Sequence, residues 1–184
     1  MNSVIAQDVS YIKELDYIFS KNKSHISHGF DFPVGKPNAE GYYNALKFRE
    51  KSHLGEDWNG LKGGNSDFDD PIYSISNGLV VSAEDLGGGW GNVIRIVHKL
   101  KNNKYAYVES LYAHCSKTLV KKGDFVRKGD LIGKIGNANG KYLAHLHFEI
   151  RSKPGQSVGF GYAKIAEDYY ISPTNFISIN RKIK

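Results

Sequence analysis

Apolar and polar positions alternate most strictly over Tyr142–Arg151, written YLAHLHFEIR. Ala144, Leu146, Phe148 and Ile150 fall on one side of a strand. His145, His147, Glu149 and Arg151 fall on the other. Short alternating runs also predict strands at Ile72–Ile75, Leu79–Ala83, Asn92–His98 and Tyr105–His114. Asn77-Gly78 predicts a hairpin, and Gly87-Gly88-Gly89 a second turn. Leu119–Gly136 carries a rhythm in which Gly123-Asp124 and Gly129-Asp130 form equivalent turns between short apolar pieces. Near the N-terminus the period changes. Apolar residues at 9, 12, 15, 18 and 19 predict an amphipathic helix over Val9–Phe19, with Asp8 or Ser10 as N-cap. Phe30–Gly35 reads as the start of a strand, Lys36–Asn44 as a loop holding Tyr42 and Tyr43, Ser152–Tyr162 as a Gly/Ser loop, and Tyr169–Ile179 as a closing segment. The core is therefore expected to be β, with the helix peripheral.

A chain of 184 residues is long enough for one domain with its own core. Twenty glycines against five prolines favour the many tight turns of a β domain. The single Cys115 excludes an intramolecular disulfide framework; next to His114 it reads as a small buried strand residue rather than a ligand. No run is long and apolar enough to span a membrane. Met1–Ser10 has neither the basic nor the apolar region of a signal peptide. The net charge of +6 suits a polyanionic partner. Basic residues gather at Lys99–Lys104, Lys117–Lys134 and Arg181–Lys184, but no nucleic-acid motif accompanies them.

Two imidazoles on one strand face beside an apolar core suggest a metal. His53 and Asp57 form a second constellation, H-x-x-x-D. On a straight strand they would lie roughly 13 Å apart, so a shared ion requires a bend near Leu54-Gly55. His53, Asp57 and one of His145 or His147 would give three N/O ligands and an open position, a catalytic rather than a structural zinc pattern. The remaining histidine of the pair and His114, at the end of ESLYAH, are then free to handle protons. His25, His28 and His98 fall in no pattern.

These motifs in this order are HLGEDW, YAH, the V-x-x-G-D rhythm and HLHFEIR. Together they resemble the lysostaphin-like (LytM-type) zinc endopeptidases of bacterial cell walls, from about Phe48 to Arg151, with a weaker tail at ISPTNFI. The resemblance implies a mainly β fold in which antiparallel sheets form a groove, barrel-sandwich-like, with a short N-terminal helix. It implies a peptidase domain over 41–184 and an accessory helix and linker over 1–40. It implies zinc on His53, Asp57 and His147, with His114 and His145 as paired catalytic histidines. The substrate would be a peptide of peptidoglycan, cut outside the cytoplasm by a monomer whose basic surface suits anionic wall polymers. Two departures stand out. NANGKYLA replaces a Thr/Ser-rich stretch, so Lys141 and Tyr142 narrow one wall of the groove, and the loop Gly60–Asp70 is longer than the family core. Relatives with degenerate motifs are non-catalytic regulators; this chain retains all five polar positions, which favours an enzyme over a binding module. A His/carboxylate oxygenase would need H-x-D/E first, the reverse of the order here.

Overall fold

A computed structural model describes residues 2–101, 103–159 and 168–181. Among the described residues, eleven strands form two antiparallel sheets. In chain order they are β1 (Tyr42–Leu46), β2 (Glu56–Gly60), β3 (Pro71–Tyr73), β4 (Gly78–Asp85), β5 (Asn92–Lys99), β6 (Tyr107–Cys115), β7 (Lys117–Thr118), β8 (Phe125–Val126), β9 (Leu131–Lys134), β10 (Leu146–Arg151) and β11 (Tyr170–Ile171). The large sheet runs β1-β2-β10-β6-β5-β4-β8. One edge of β10 is shared: β2 pairs with its first half and β11 with its second. The small sheet runs β3-β9-β7.

The two faces of the large sheet have different fates. One is apolar: Ile94, Ile96, Val108, Leu146, Phe148 and Ile150 pack against Ile72 and Ile132 of the small sheet. Phe176 and Ile177 of helix α2 (Pro173–Ile179) close this core from below. The other face is divided. Over Leu79, Val97 and Tyr107 it is covered by Leu15 and Phe19 of helix α1 (Asn2–Lys21). Over β10 it carries polar side chains, and all six residues of that strand are buried.

Several elements differ from the sequence-based expectation. Helix α1 runs from Asn2 to Lys21, longer than the apolar period indicated. Phe30–Gly35 is not a strand; Phe30 and Val34 are core anchors on an irregular segment. Tyr42 and Tyr43 belong to β1, not to a loop. Asn77-Gly78 makes no hairpin, because β3 and β4 lie in different sheets. There Asn77 is a junction: its backbone oxygen accepts from Ser27 Oγ and His98 Nδ1, and its side-chain oxygen accepts from Lys128 N. The glycine is needed because a Cβ at Gly78 would lie 2.7 Å from Val97 O. The closing segment Tyr169–Ile179 holds β11 and α2. The two Gly-Asp turns are equivalent, as their spacing indicated. Asp124 accepts from Lys121 N and Asp130 from Arg127 N, with both glycines at positive φ. The part of the Ser152–Tyr162 loop beyond Gly159, and Lys182–Lys184 of the terminal basic cluster, lie outside the described residues.

Candidate metal centre

Strand register brings the first two groups together. His147 of β10 pairs with Asp57 of β2 on one side and with Ala113 of β6 on the other. Directly opposed residues in an antiparallel ladder point to the same face, so Asp57 and His147 must meet. Asp57 Oδ1 lies 3.0 Å from His147 Nδ1.

His53 reaches the same point by the bend that its spacing required. The chain turns at Leu54-Gly55 before β2 starts. Gly55 is pressed against β10: a Cβ there would lie 2.6 Å from Phe148 O and 3.0 Å from His147 Cε1. Just upstream Arg49, Lys51 and Ser52 all have positive φ, a strained turn that fixes where His53 emerges. Its Nε2 lies 2.9 Å from His147 Nδ1 and 3.2 Å from Asp57 Oδ1.

His114 arrives by a device absent from the sequence reading. Simple alternation would turn it away from Ala113 and hence from His147. However, the β5–β6 register shifts by one between Asn92↔Cys115 and Ile94↔Tyr112, so Ala113 and His114 together oppose Val93. This is a β-bulge, and His114 has φ +63°. The bulge swings its imidazole onto the polar face, 4.8 Å from the His145 ring and 5.5 Å from the His147 ring between centroids.

The three donor atoms of His53, Asp57 and His147 thus form a triangle with edges of 2.9–3.2 Å. Ligands about 2.1 Å from a tetrahedral zinc stand about 3.4 Å apart, so a small rearrangement would seat the ion. Burial by itself would raise the Asp57 carboxyl, but hydrogen bonds and charge from His147 and His53 hold it well below the usual carboxylate range. Burial likewise would lower His147, yet Asp57 and Glu149 lift it to about 9.

Behind the triangle runs a buried chain of alternating charge. His147 Nε2 donates to Glu149 Oε1 at 3.0 Å, so Nδ1, turned to Asp57, is the nitrogen that gives up its proton when the ring becomes neutral. Arg151 holds Glu149 Oε2 through Nε at 2.9 Å and Nη2 at 2.5 Å. Arg151 Nη1 lies 3.7 Å from Glu109, and Arg95 grips Glu109 with two bonds of 2.9 Å. Glu109, Glu149 and Arg151 are completely buried. Alternation had put Glu149 and Arg151 on the histidine face but gave them no role; the H-x-H-x-E-x-R pattern is the signal that identifies them. Glu56, beside Asp57, accepts from Thr174 N and Oγ1 and so fastens β2 to the start of α2.

Both remaining histidines are fixed through Nδ1. His145 Nδ1 donates to Leu143 O at 2.8 Å, and its Nε2 faces Asp57 Oδ1 at 3.8 Å. His114 Nδ1 donates to Trp90 O at 3.2 Å. Burial and the neighbouring histidines push the His114 imidazole down to about 3, so it is neutral. Trp90 stands edge-on to His147, with centroids 5.4 Å apart. Two other groups take no part. Cys115 is a buried strand thiol pushed up to about 12 by burial. His98 bridges Asn77 O and Ser110 Oγ inside the core.

The model of Peptidase family M23 matches residues 51–159. Lipoprotein NlpD of Yersinia enterocolitica is 41% identical over 88 residues, covering 48% of this chain and 82% of NlpD. Peptidoglycan DD-endopeptidase ShyA of Vibrio cholerae is 37% identical over 86 residues, covering 46% of this chain and 18% of ShyA. The solution structure of lysostaphin superposes with a TM-score of 0.50 at 26% identity, over 69% of this chain and 43% of lysostaphin. The chain therefore spans most of NlpD, but less than a fifth of ShyA.

Proposed function

The chain belongs to peptidase family M23, and we propose that it is a zinc-dependent endopeptidase hydrolysing peptide cross-links of bacterial peptidoglycan. The observation that carries this is the His53–Asp57–His147 triangle, flanked by two histidines anchored at Nδ1. In this reading His53 Nε2, Asp57 Oδ1 and His147 Nδ1 hold Zn2+. When bound, the ion supplies a Lewis acid for the amide carbonyl and lowers the pKa of a water ligand to about 7. His145, held through Nδ1 by Leu143 O, presents Nε2 as the base that takes the proton of the attacking water. His114, whose buried ring resists protonation, accepts a hydrogen bond at Nε2 and orients that water. His145 then returns its proton to the leaving amine. Glu149 and Arg151 keep His147 in the metal-binding tautomer.

The same reading puts the peptidase domain at 41–184, with 1–40 as an accessory element. It has the chain act as a monomer outside the cytoplasm, where a net charge of +6 favours an anionic wall. The test is digestion of purified sacculi by the zinc-loaded protein, with fragments read by mass spectrometry. New peptide termini are expected from the native chain and none from His145→Ala. A zinc-loaded protein that releases nothing from sacculi of either glycine-bridged or direct cross-link type would overturn the proposal.

A further inference from the structure

The long loop 60–70 folds back on the end of β2 and lines a cavity of about 370 Å3 with Tyr42, Gly60, Ser66, Asp67 and Asp70. Asp67 is only 2% exposed. Its Oδ2 accepts from Gly60 N at 2.9 Å and so ties the loop to its own start. Its Oδ1 is buried with no hydrogen-bond partner. A buried carboxylate oxygen calls for a counter-charge or a metal. Asp70 stands one turn further on, its N donating to Asp67 O at 3.0 Å. The Tyr42 hydroxyl donates to Asp70 Oδ2 at 2.6 Å, and among the described residues no group bonds Asp70 Oδ1. Burial, then the bond to Asp70 and the charges of Asp70 and Asp67, push the Tyr42 hydroxyl up, so both carboxylates bear on one point. Each gives one oxygen to the protein and keeps the other. Among the described residues neither forms an ion pair with a lysine or arginine, although Lys62 also lines the cavity. The loop is braced against the metal centre as well. Asn65 Oδ1 accepts from Ala144 N, next to His145, at 2.8 Å, and Asp69 and Asp70 exchange two backbone bonds of 2.8 Å with Ile135.

We propose that the cavity at Asp67 and Asp70 is a calcium site, separate from the His53–Asp57–His147 triangle, which locks loop 60–70 onto β2 and Ala144. The side-chain donors are all oxygens: two carboxylates and the Ser66 hydroxyl. No imidazole or thiolate lines the cavity, so it suits a hard cation and not zinc. Donors from a loop tolerate the irregular six to eight oxygens that calcium takes, whereas magnesium demands a near-ideal octahedron. The inference is independent of the peptidase reading.

The test uses the full chain supplied with zinc, in calcium-free buffer, as native protein, Asp67→Asn and Asp70→Asn. Calcium chloride is titrated in by calorimetry, and melting temperatures are read with calcium, with magnesium and with neither. The native protein should bind one calcium with a Kd of about 0.1–1 mM, and about 10 mM calcium should raise its melting temperature by about 3–10 °C. Asp67→Asn should lose that rise. Asp70→Asn, at a half-buried position where the amide oxygen still accepts from Tyr42, should lose it too, and keeps the test open if Asp67→Asn does not fold. Absence of binding and of any rise in the native protein overturns the inference, as does a rise retained in either folded variant. A purely structural Asp67 would lower the melting temperature equally with and without calcium, leaving the rise intact, and that result also overturns it. An equal rise with magnesium overturns the assignment to calcium.

Discussion

Glu149→Gln tests the buried charge chain through a single atom. The substitution preserves shape but leaves one acceptor oxygen where the carboxylate has two. In the native protein one oxygen accepts from His147 Nε2 at 3.0 Å and the other takes two bonds from Arg151. Glutamine cannot serve both. Charge-assisted bonds are roughly twice as strong as neutral ones, so the amide oxygen turns to the guanidinium. The amide NH2 then faces His147 Nε2 and favours the tautomer protonated at Nδ1, the nitrogen that the triangle offers to the metal. Loss of such a supporting partner weakens metal binding about 10–100-fold, or about 1.4–2.8 kcal/mol. Arg151 also loses its buried counter-charge, keeping only Glu109 at 3.7 Å. That costs on the order of 3 kcal/mol of stability, or roughly 6–12 °C in a chain of this size. Zinc affinity is read by competition with a chromophoric chelator and stability by calorimetry. A folded Glu149→Gln that binds zinc as tightly as the native protein would refute the tautomer argument, whatever its melting temperature.

Asp57→Ala and His147→Ala should abolish both zinc binding and hydrolysis, whereas His114→Ala and His145→Ala should abolish hydrolysis and keep most of the zinc; metal analysis beside a peptidase assay separates the pairs. Gly55→Ala should lose zinc affinity and about 1–3 kcal/mol of stability, because its Cβ must push β10 away from 2.6 Å. Denaturant titration with metal analysis measures both, and a neutral result would mean that the bend has slack. His98 supplies a pH test remote from the site. Burial lowers its pKa from 6.5 to about 4 against the opposing bond to Asn77 O, so the unfolded chain binds the extra proton first. Its contribution is complete above pH 6.5 and is lost as pH falls towards 4, by about 3 kcal/mol. The stability gap between native protein and His98→Gln should therefore change across that window; a gap constant with pH would disprove the assignment.

Apart from His114, the polar residues of the site are legible in the sequence because each sits in a spaced motif. Alternation places His147 with Glu149 and Arg151, and H-x-x-x-D with Gly55 demands a bend. The fold class is legible for the same reason: a two-residue period broken by glycine turns leaves only β layers. Turns caught by composition alone fared unevenly. The Gly-Asp pair holds because each aspartate caps a backbone N–H three residues back, a local interaction. Asn77-Gly78 does not make its hairpin, because its hydrogen bonds go to Ser27, His98 and Lys128, all distant in the chain.

The sequence by itself determined which side chains share a strand face, since the pleat fixes that within one segment. It also determined where the chain could bend or approach closely, since that follows from glycine. The tertiary structure decided which strands are neighbours, and so that His147 stands opposite Asp57. It decided the one-residue bulge that turns His114 round, which depends on the count of residues across two strands and not on either strand alone. It decided that the charged face of β10 lies buried, with Glu149 answered by Arg151, Arg151 by Glu109 and Glu109 by Arg95. Those partners come from three strands, and only their packing brings the charges within reach of one another.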